Sequence, residues 1–181
     1  EIGVRLVGSE MCIRDRFYPA MALNMVLTTI IGQCVGGKRY DRAKDYLKCA
    51  LGYGCVLLVI LSAVVVGFSQ QLSGLFVKSS DVAVIVGTYF LIVSIGYILN
   101  TVTNCYLGTL NGMGSPSKSM FLMIFYYIIV RMPLAYLLSY LGFGLNGIWV
   151  AVLISHIIAS IVAVFTGTIY MKKNEVSVKA I

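Results

Sequence analysis

The sequence is poor in charge. Of its 181 residues only 12% are Asp, Glu, Lys or Arg, whereas 59% are hydrophobic, and the mean hydropathy is +0.91. An ordinary water-soluble domain carries about 25% charged residues, because its surface has to face water. So little charge cannot cover such a surface. The chain is therefore predicted to be an integral membrane protein.

Acidic residues and histidine are especially scarce, with 7 Asp and Glu and a single His. No carboxylate falls inside the apolar runs that are described next. Intramembrane hydrolysis or acyl transfer would need clustered His, Asp or Glu to activate a nucleophile or to hold a metal. The 5 cysteines show no C-x-x-C pattern and no partnering histidines, so they are predicted to be apolar helix residues. An enzyme, a catalytic residue and a metal site are therefore not predicted.

Long apolar runs dominate what is present. Runs of about twenty residues favour membrane helices, because the strands of a barrel alternate over about ten. The loops between the runs are too short to form a second domain. The fold class is therefore an all-α integral membrane bundle. Five transmembrane helices are predicted, at Phe17–Gly36, Cys49–Ser69, Val82–Leu110, Ser119–Leu141 and Leu145–Met171.

Basic residues are distributed unevenly between the loops. The second loop holds Lys78 alone, and the fourth, "GFG", holds none. Because Lys and Arg accumulate in cytoplasmic loops, the first and third loops and the tail 174–181 are predicted to be cytoplasmic. The net charge of +7 is thus explained by topology and not by nucleic-acid binding. The basic residues on the cytoplasmic side are Lys38, Arg39, Arg42, Lys44, Lys48, Lys118, Lys172, Lys173 and Lys179.

Polar residues inside the third span lie on one face. Tyr97, Asn100, Asn104 and Asn111 follow at helical spacing together with Gly108. A polar face inside a membrane is expected to point to the bundle interior or to a wet cavity. The two interpretations are a solute cavity and hydrogen bonds that only hold helices together.

Similar polar residues occur in three other spans. An intramembrane cation such as Arg131 is costly without a partner, which must be backbone carbonyls, water or a residue elsewhere. For the lone His156, hydrogen bonding within the bundle is favoured over a proton relay. The residues predicted to line a shared cavity are Asn24, Thr28, Tyr97, Asn100, Asn104, Tyr127, Arg131 and His156.

Several segments carry a resemblance to a known family: "IGQCVGGKRYDRAK", "LFVKSSDVAVIVGTYFLI", "YLGTLNGMGSPSKSM" and "VRMPLAYLLSYLGFGLNGIWVAVLIS". In their order and spacing they resemble the C-terminal lobe of a multidrug and toxic compound extrusion (MATE) transporter, over 17–173. The resemblance implies a twelve-helix, two-lobe transporter that exports drugs or organic cations by antiport with protons or sodium ions. It implies a small-molecule substrate, a lipid bilayer, a multi-pass location in the inner (cytoplasmic) membrane, and no cofactor beyond the coupling ion. The N-terminal lobe of the same chain would be a further partner.

One departure from the family pattern concerns ion coupling. Some members carry a carboxylate in the second lobe, whereas Tyr97 to Asn111 contain none. Two alternatives remain open from sequence: a lipid-linked polysaccharide flippase of the same superfamily, and a non-transporting membrane subunit.

The first sixteen residues differ in character from the rest. "LVGSEMCIRDR" resembles the translation of an adaptor used in transposase-based sequencing libraries. Residues 1–16 are therefore expected to be non-native and are excluded from fold reasoning.

Overall fold

The computed structural model describes residues 17–67 and 80–179, all of them helical or in short turns. Four described stretches are long and apolar enough to cross a membrane: Tyr18–Gly36, Tyr40–Val64, Pro116–Leu141 and Gly147–Glu175. The predicted all-α membrane bundle is thereby confirmed. The helices are α1 (Phe17–Gly36), α2 (Tyr40–Gly67), α3 (Ser80–Gly112), α4 (116–143) and α5 (Gly144–Lys179). The adaptor-like segment and nearly all of the predicted second loop lie outside the described residues.

The basic loop predicted between the first two spans is mostly helix. Only residues 37–39 form a turn, and α2 begins at Tyr40 instead of near Cys49. Asp41 lies in its first turn, where a negative charge favours the positive end of the helix dipole. The low hydropathy of this stretch indicates only that it lies outside the bilayer. It does not exclude a helix, and the Arg, Ala, Lys and Leu residues of the stretch are good helix formers.

A tight turn joins α3 to α4. Gly114 has φ of +73°, a backbone conformation that glycine adopts without steric cost. Pro116 then occupies the start of α4, where its fixed φ suits the first helical turn and its missing N–H is not needed.

Helix α4 changes its hydrogen-bonding pattern along its length. It is α-helical over Pro116–Ile124, π-helical over Phe125–Arg131, α-helical over Met132–Leu138 and π-helical over Ser139–Phe143. Pro133 follows the first π segment. Proline removes a backbone donor, and a π adjustment is one way in which the freed carbonyl upstream is satisfied again. The sequence pattern of period 3.6 does not anticipate this change.

The predicted "GFG" loop between the last two spans is also helical, since the second π segment joins α5 at Gly144. The two helices nevertheless lie antiparallel, because Lys118 contacts Tyr170 and Tyr126 contacts His156. The chain therefore reverses within helically bonded backbone.

Helix α3 lies at the centre of the bundle and packs against α1, α2 and α5. It runs parallel to α1, because Asn24 contacts Asn104 and Thr28 contacts Gly108. The side chains of Leu27, Ile31, Cys105 and Leu110 are almost completely buried between these helices.

The two described turns and the last part of α5 lie at one end of the bundle. Lys44 at the start of α2 forms an ion pair with Glu175, and Ser115 donates a hydrogen bond to the Tyr170 hydroxyl. Lys118 Nζ lies 3.4 Å from the centre of the Tyr170 ring. Helix α5 continues past the predicted end of the span at Met171 as far as Lys179. At the end that the charge pattern predicts to be cytoplasmic, α5 thus contacts α2, the turn after α3 and the start of α4.

Candidate functional site

Two polar contacts between helices contain most of the predicted site residues. The first lies between α1 and α3, where glycines let the backbones touch. A Cβ atom on Gly108 would lie 2.5 Å from the Asn24 carbonyl oxygen, and one on Gly112 would lie 2.8 Å from the Thr28 carbonyl oxygen. Real side chains do not tolerate such distances, so this contact requires glycine at both positions.

Hydrogen bonds connect the polar side chains of the α1–α3 contact. Thr28 Oγ1 donates to the Asn24 carbonyl oxygen at 2.8 Å and lies 3.2 Å from the Gly108 carbonyl oxygen. Asn24 Nδ2 donates to Asn104 Oδ1 at 3.4 Å, and Asn104 Nδ2 donates to the Asn100 carbonyl oxygen at 2.9 Å. The structure therefore brings Asn24, Thr28 and Asn104 together, each half-buried.

The remaining residues of the polar face on α3 lie deeper in the bundle. Tyr97 is 6% exposed and Asn100 is 7% exposed. Thr101, one position further, is completely buried and donates to the Tyr97 carbonyl oxygen at 3.0 Å. This part of the face is enclosed by the helices of the chain.

The second contact joins α4 and α5 through Tyr126, Arg131 and His156. The Tyr126 hydroxyl lies 2.9 Å from His156 Nδ1 and receives a hydrogen bond from Arg131 Nη1 at 3.4 Å. An arginine can only donate, so a Tyr126 oxygen that accepts from Arg131 can still donate its own proton to Nδ1 of a neutral His156. On its other side His156 packs on α3, where a Cβ atom on Gly96 would lie 3.2 Å from the imidazole Cδ2.

Tyr126 was missed by sequence reasoning, which paired Tyr127 with Arg131. At α-helical spacing residues four apart share a face, whereas the π segment Phe125–Arg131 aligns residues five apart. Tyr126 is consequently 3% exposed and Tyr127 is 41% exposed. The Tyr127 ring still lies under the guanidinium, 5.6 Å from its carbon. Pro133 was the available signal, because a proline inside a membrane helix often causes such a local change upstream.

Helix α3 links the two contacts. Gly96 lies against His156 and Asn104 lies against Asn24, about 12 Å apart at 1.5 Å per residue. In the described ranges no group of three His, Cys, Asp or Glu could hold a metal ion. The chemistry on offer consists of amides, hydroxyls, aromatic rings, one imidazole and one guanidinium. Such groups bind polar or charged solutes through hydrogen bonds and ring contacts.

Comparison with known proteins gives one consistent result. Residues 16–137 match the MatE family model. The chain is 30% identical over 149 residues to the probable multidrug resistance protein NorM of Pasteurella multocida strain Pm70, a match that covers 80% of this chain and 32% of that protein. The chain thus spans about a third of the length of such relatives.

Solved structures share the fold. An outward-facing multidrug resistance MATE family transporter of the MOP superfamily superposes with a TM-score of 0.84 at 19% identity, over 96% of this chain and 39% of that one. A MOP superfamily transporter from Pyrococcus furiosus superposes with a TM-score of 0.81 at 18% identity, over 95% of this chain and 39% of that one. The described helices are therefore arranged as in one part of these transporters.

Proposed function

The chain belongs to the MatE family, and on that basis we propose that it is the C-terminal-lobe part of a transporter that exports drugs or organic cations by antiport with protons or sodium ions. The observation that carries the proposal is the family match over residues 16–137, supported by a relative named as a multidrug resistance protein. The similar proteins cited above are named as a multidrug resistance protein and as transporters, and none of them is named as an enzyme. They give no support to the flippase alternative or to a non-transporting subunit.

The remaining two thirds of such a transporter would include an N-terminal lobe as partner. Coupling to protons or sodium ions commonly uses intramembrane carboxylates. The predicted spans of this chain contain no Asp or Glu, so we assign the coupling carboxylate to a part of the transporter outside this chain. The contribution of this chain would be polar groups for the solute.

The predicted solute-contacting groups are those of α1 and α3. Asn24, Thr28 and Asn104 are half-buried and offer amide and hydroxyl groups near the helix surface, whereas Asn100 lies deeper. Solute sites of secondary transporters lie near the middle of the bilayer, between helices of the two halves. A second lobe packed against this face would convert the half-buried groups into one wall of a cavity.

Export assays on the full-length transporter test this assignment. We expect Asn100→Leu and Asn104→Leu to leave the protein inserted, because hydrogen bonds between membrane helices average only about 0.6 kcal/mol. Drug resistance, normalised to the amount of protein in the membrane, should fall. Thr29→Val is the control, since Thr29 is exposed on α1 and donates only to the Met25 carbonyl oxygen. If the two Asn variants lose protein in proportion to resistance, the polar face is only a packing surface.

The proposed location is an inner (cytoplasmic) membrane, with the C-terminus in the cytoplasm. The basic residues of the first turn and of α5 support this orientation, because they share one end of the bundle. A reporter fused after Ile181 should be active only in the cytoplasm. Activity on the opposite side would contradict the orientation.

A further inference from the structure

Arg131 is a cation near the middle of a membrane-spanning helix. Helix α4 covers 116–143, so Arg131 lies roughly 20 Å from either end at 1.5 Å per residue. The hydrocarbon core of a bilayer is about 30 Å thick, and a guanidinium at such a depth is costly unless it is paired. The position therefore calls for a partner of opposite charge.

The described residues supply Arg131 with little. Its guanidinium has five N–H donors, and within the described ranges it makes one hydrogen bond, to the Tyr126 hydroxyl, and one contact with the Tyr127 ring. The ion pair found in those ranges, between Lys44 and Glu175, lies at the end of the bundle. Arg131 is half-buried, so part of the residue remains accessible to another molecule or helix.

Arg131 is positioned by one hydrogen bond and one ring contact. The Tyr126 hydroxyl is held by His156, which in turn packs against Gly96 on α3. The hydrogen bond from Arg131 to that hydroxyl uses one of the five N–H donors of the guanidinium. The planar fork formed by the other donors suits bidentate binding of a planar anion.

We infer that Arg131, positioned by Tyr126 and His156, binds a carboxylate group in the middle of the membrane. A carboxylate matches the planar guanidinium with two parallel hydrogen bonds and cancels its single charge, whereas a phosphate dianion would leave one charge uncompensated at low dielectric. The carboxylate can come from a solute or from an Asp or Glu side chain elsewhere in the full-length transporter. The inference deepens the proposed function, on which it rests, by naming the chemistry of one subsite.

Binding of benzoate to the full-length transporter in nanodiscs tests the solute source. Equilibrium dialysis with radiolabelled benzoate should show binding that Arg131→Gln weakens by about tenfold or more, because a hydrogen bond to a charged group is lost. The uncharged isostere benzamide should bind weakly and show no dependence on Arg131. Lys118→Gln is the matched control, since it removes a cation that lies over Tyr170 at the end of the bundle, and it should leave benzoate binding unchanged.

A carboxylate side chain of the same protein would give a different pattern. Free benzoate would not bind the wild type, because the site is already filled. Arg131→Gln should then lower the melting temperature, and neutralising one intramembrane Asp or Glu in the same variant should cause no further loss. Such non-additivity identifies the partner, since unconnected residues give additive effects.

Unchanged benzoate binding in Arg131→Gln, without coupling to any intramembrane carboxylate, overturns the inference. If this variant is not recovered from the membrane, Arg131→Lys decides in the same way, because it keeps the charge and loses the planar fork. Export of ethidium, measured in parallel, separates the two proposals. If the wild type exports ethidium and Arg131 affects neither benzoate binding nor any carboxylate, the proposed function stands and the inference is wrong. If benzoate binding depends on Arg131 but ethidium is not exported, the inference stands and the proposed function is wrong.

Discussion

The two polar contacts of the bundle differ in how completely they satisfy their own groups. Between α1 and α3 the backbones touch at Gly108 and Gly112, and Thr28 donates to a carbonyl within its own helix. Between α4 and α5 the Tyr126 hydroxyl contacts His156, and the Arg131 guanidinium makes one hydrogen bond within the described residues, to the same hydroxyl. A polar residue inside a membrane is therefore not informative by its presence alone. What matters is whether its neighbours already use its donors and acceptors.

The two contacts are also expected to differ in their mechanical properties. At Gly108 and Gly112 the α1–α3 contact is made by backbone against backbone, so the two helices are expected to move as one unit. The α4–α5 contact lies at a π segment, and such segments mark irregular positions where helices bend. If the lobe bends during transport, α4 is the helix in which we expect the bend.

The largest expected effect comes from breaking the α1–α3 contact. Gly108→Ala places a methyl group against the Asn24 backbone, which cannot move aside as a side chain could. We expect a loss of about 3 kcal/mol in stability, at the upper end of the range for overpacking. Size-exclusion profiles and melting temperatures of the full-length protein in detergent would measure it.

Gly52→Ala on α2 is the control for this substitution. A Cβ atom at Gly52 meets nothing within 4 Å, and alanine favours the helix more than glycine does. Its melting temperature should be unchanged or slightly higher. Equal losses in the two variants would show that α1 and α3 do not approach each other so closely.

A smaller effect is expected from removing the hydroxyl at the α4–α5 contact. Tyr126→Phe leaves His156 Nδ1 and Arg131 without their shared partner, which should cost about 1–2 kcal/mol. Tyr127→Phe should change stability by less than about 0.5 kcal/mol, because that hydroxyl belongs to an exposed residue. Denaturation of both variants in parallel tests the π register. A larger loss in Tyr127→Phe than in Tyr126→Phe would show that α4 has regular α-helical spacing at this point.

The side-chain bond between α1 and α3 should be weaker still. A double-mutant cycle with Asn24→Ala and Asn104→Ala is expected to give a coupling energy of about 0.6 kcal/mol, the average for membrane helices. The cycle of Asn24→Ala with Thr109→Val should be additive, since Thr109 donates to the Cys105 carbonyl oxygen in its own helix. Coupling of equal size in both cycles would mean that the effect is not specific to the amide pair.

The smallest effect concerns the ion pair at the end of the bundle. Lys44→Gln should cost no more than about 0.5 kcal/mol, because the Lys44 side chain is 38% exposed and exposed ion pairs contribute little. The loss should shrink at 1 M salt, where charges are screened within about 3 Å. Lys48→Gln, an exposed neighbour on α2, should show no salt-dependent difference from the wild type. A salt-independent loss in Lys44→Gln would argue for a packing role.

Sequence reasoning predicted the membrane class and the helices because composition and run length determine them directly. It placed the start of α2 too late, since the hydrophilic stretch from Tyr40 to Lys48 is excluded from the bilayer without being excluded from a helix. Spacing along α3 showed that Asn100 and Asn104 share a face. It could not show that this face meets Asn24, because the neighbour of a helix depends on contacts between residues far apart in sequence.

The register at Arg131 was missed for another reason. Counting by 3.6 residues assumes a constant helix, and Pro133 changes the helix several residues before its own position. As long as that shift is unknown, regular spacing favours Tyr127, four residues before Arg131, over Tyr126, five residues before it. A prediction from sequence can therefore name the contact between α4 and the bundle and still miss the tyrosine that makes it.

The separation of partners along the chain has a consequence for biosynthesis. Asn24 and its partner Asn104 are 80 residues apart, whereas Tyr126 and His156 are 30 apart. At about 5–20 residues per second, a ribosome needs roughly 4–16 s to make the first interval and roughly 2–6 s to make the second. During that longer interval the Asn24 side chain of α1 is in the membrane without Asn104, its later partner. Until α3 emerges, its amide group is available to other helices of the newly made chain.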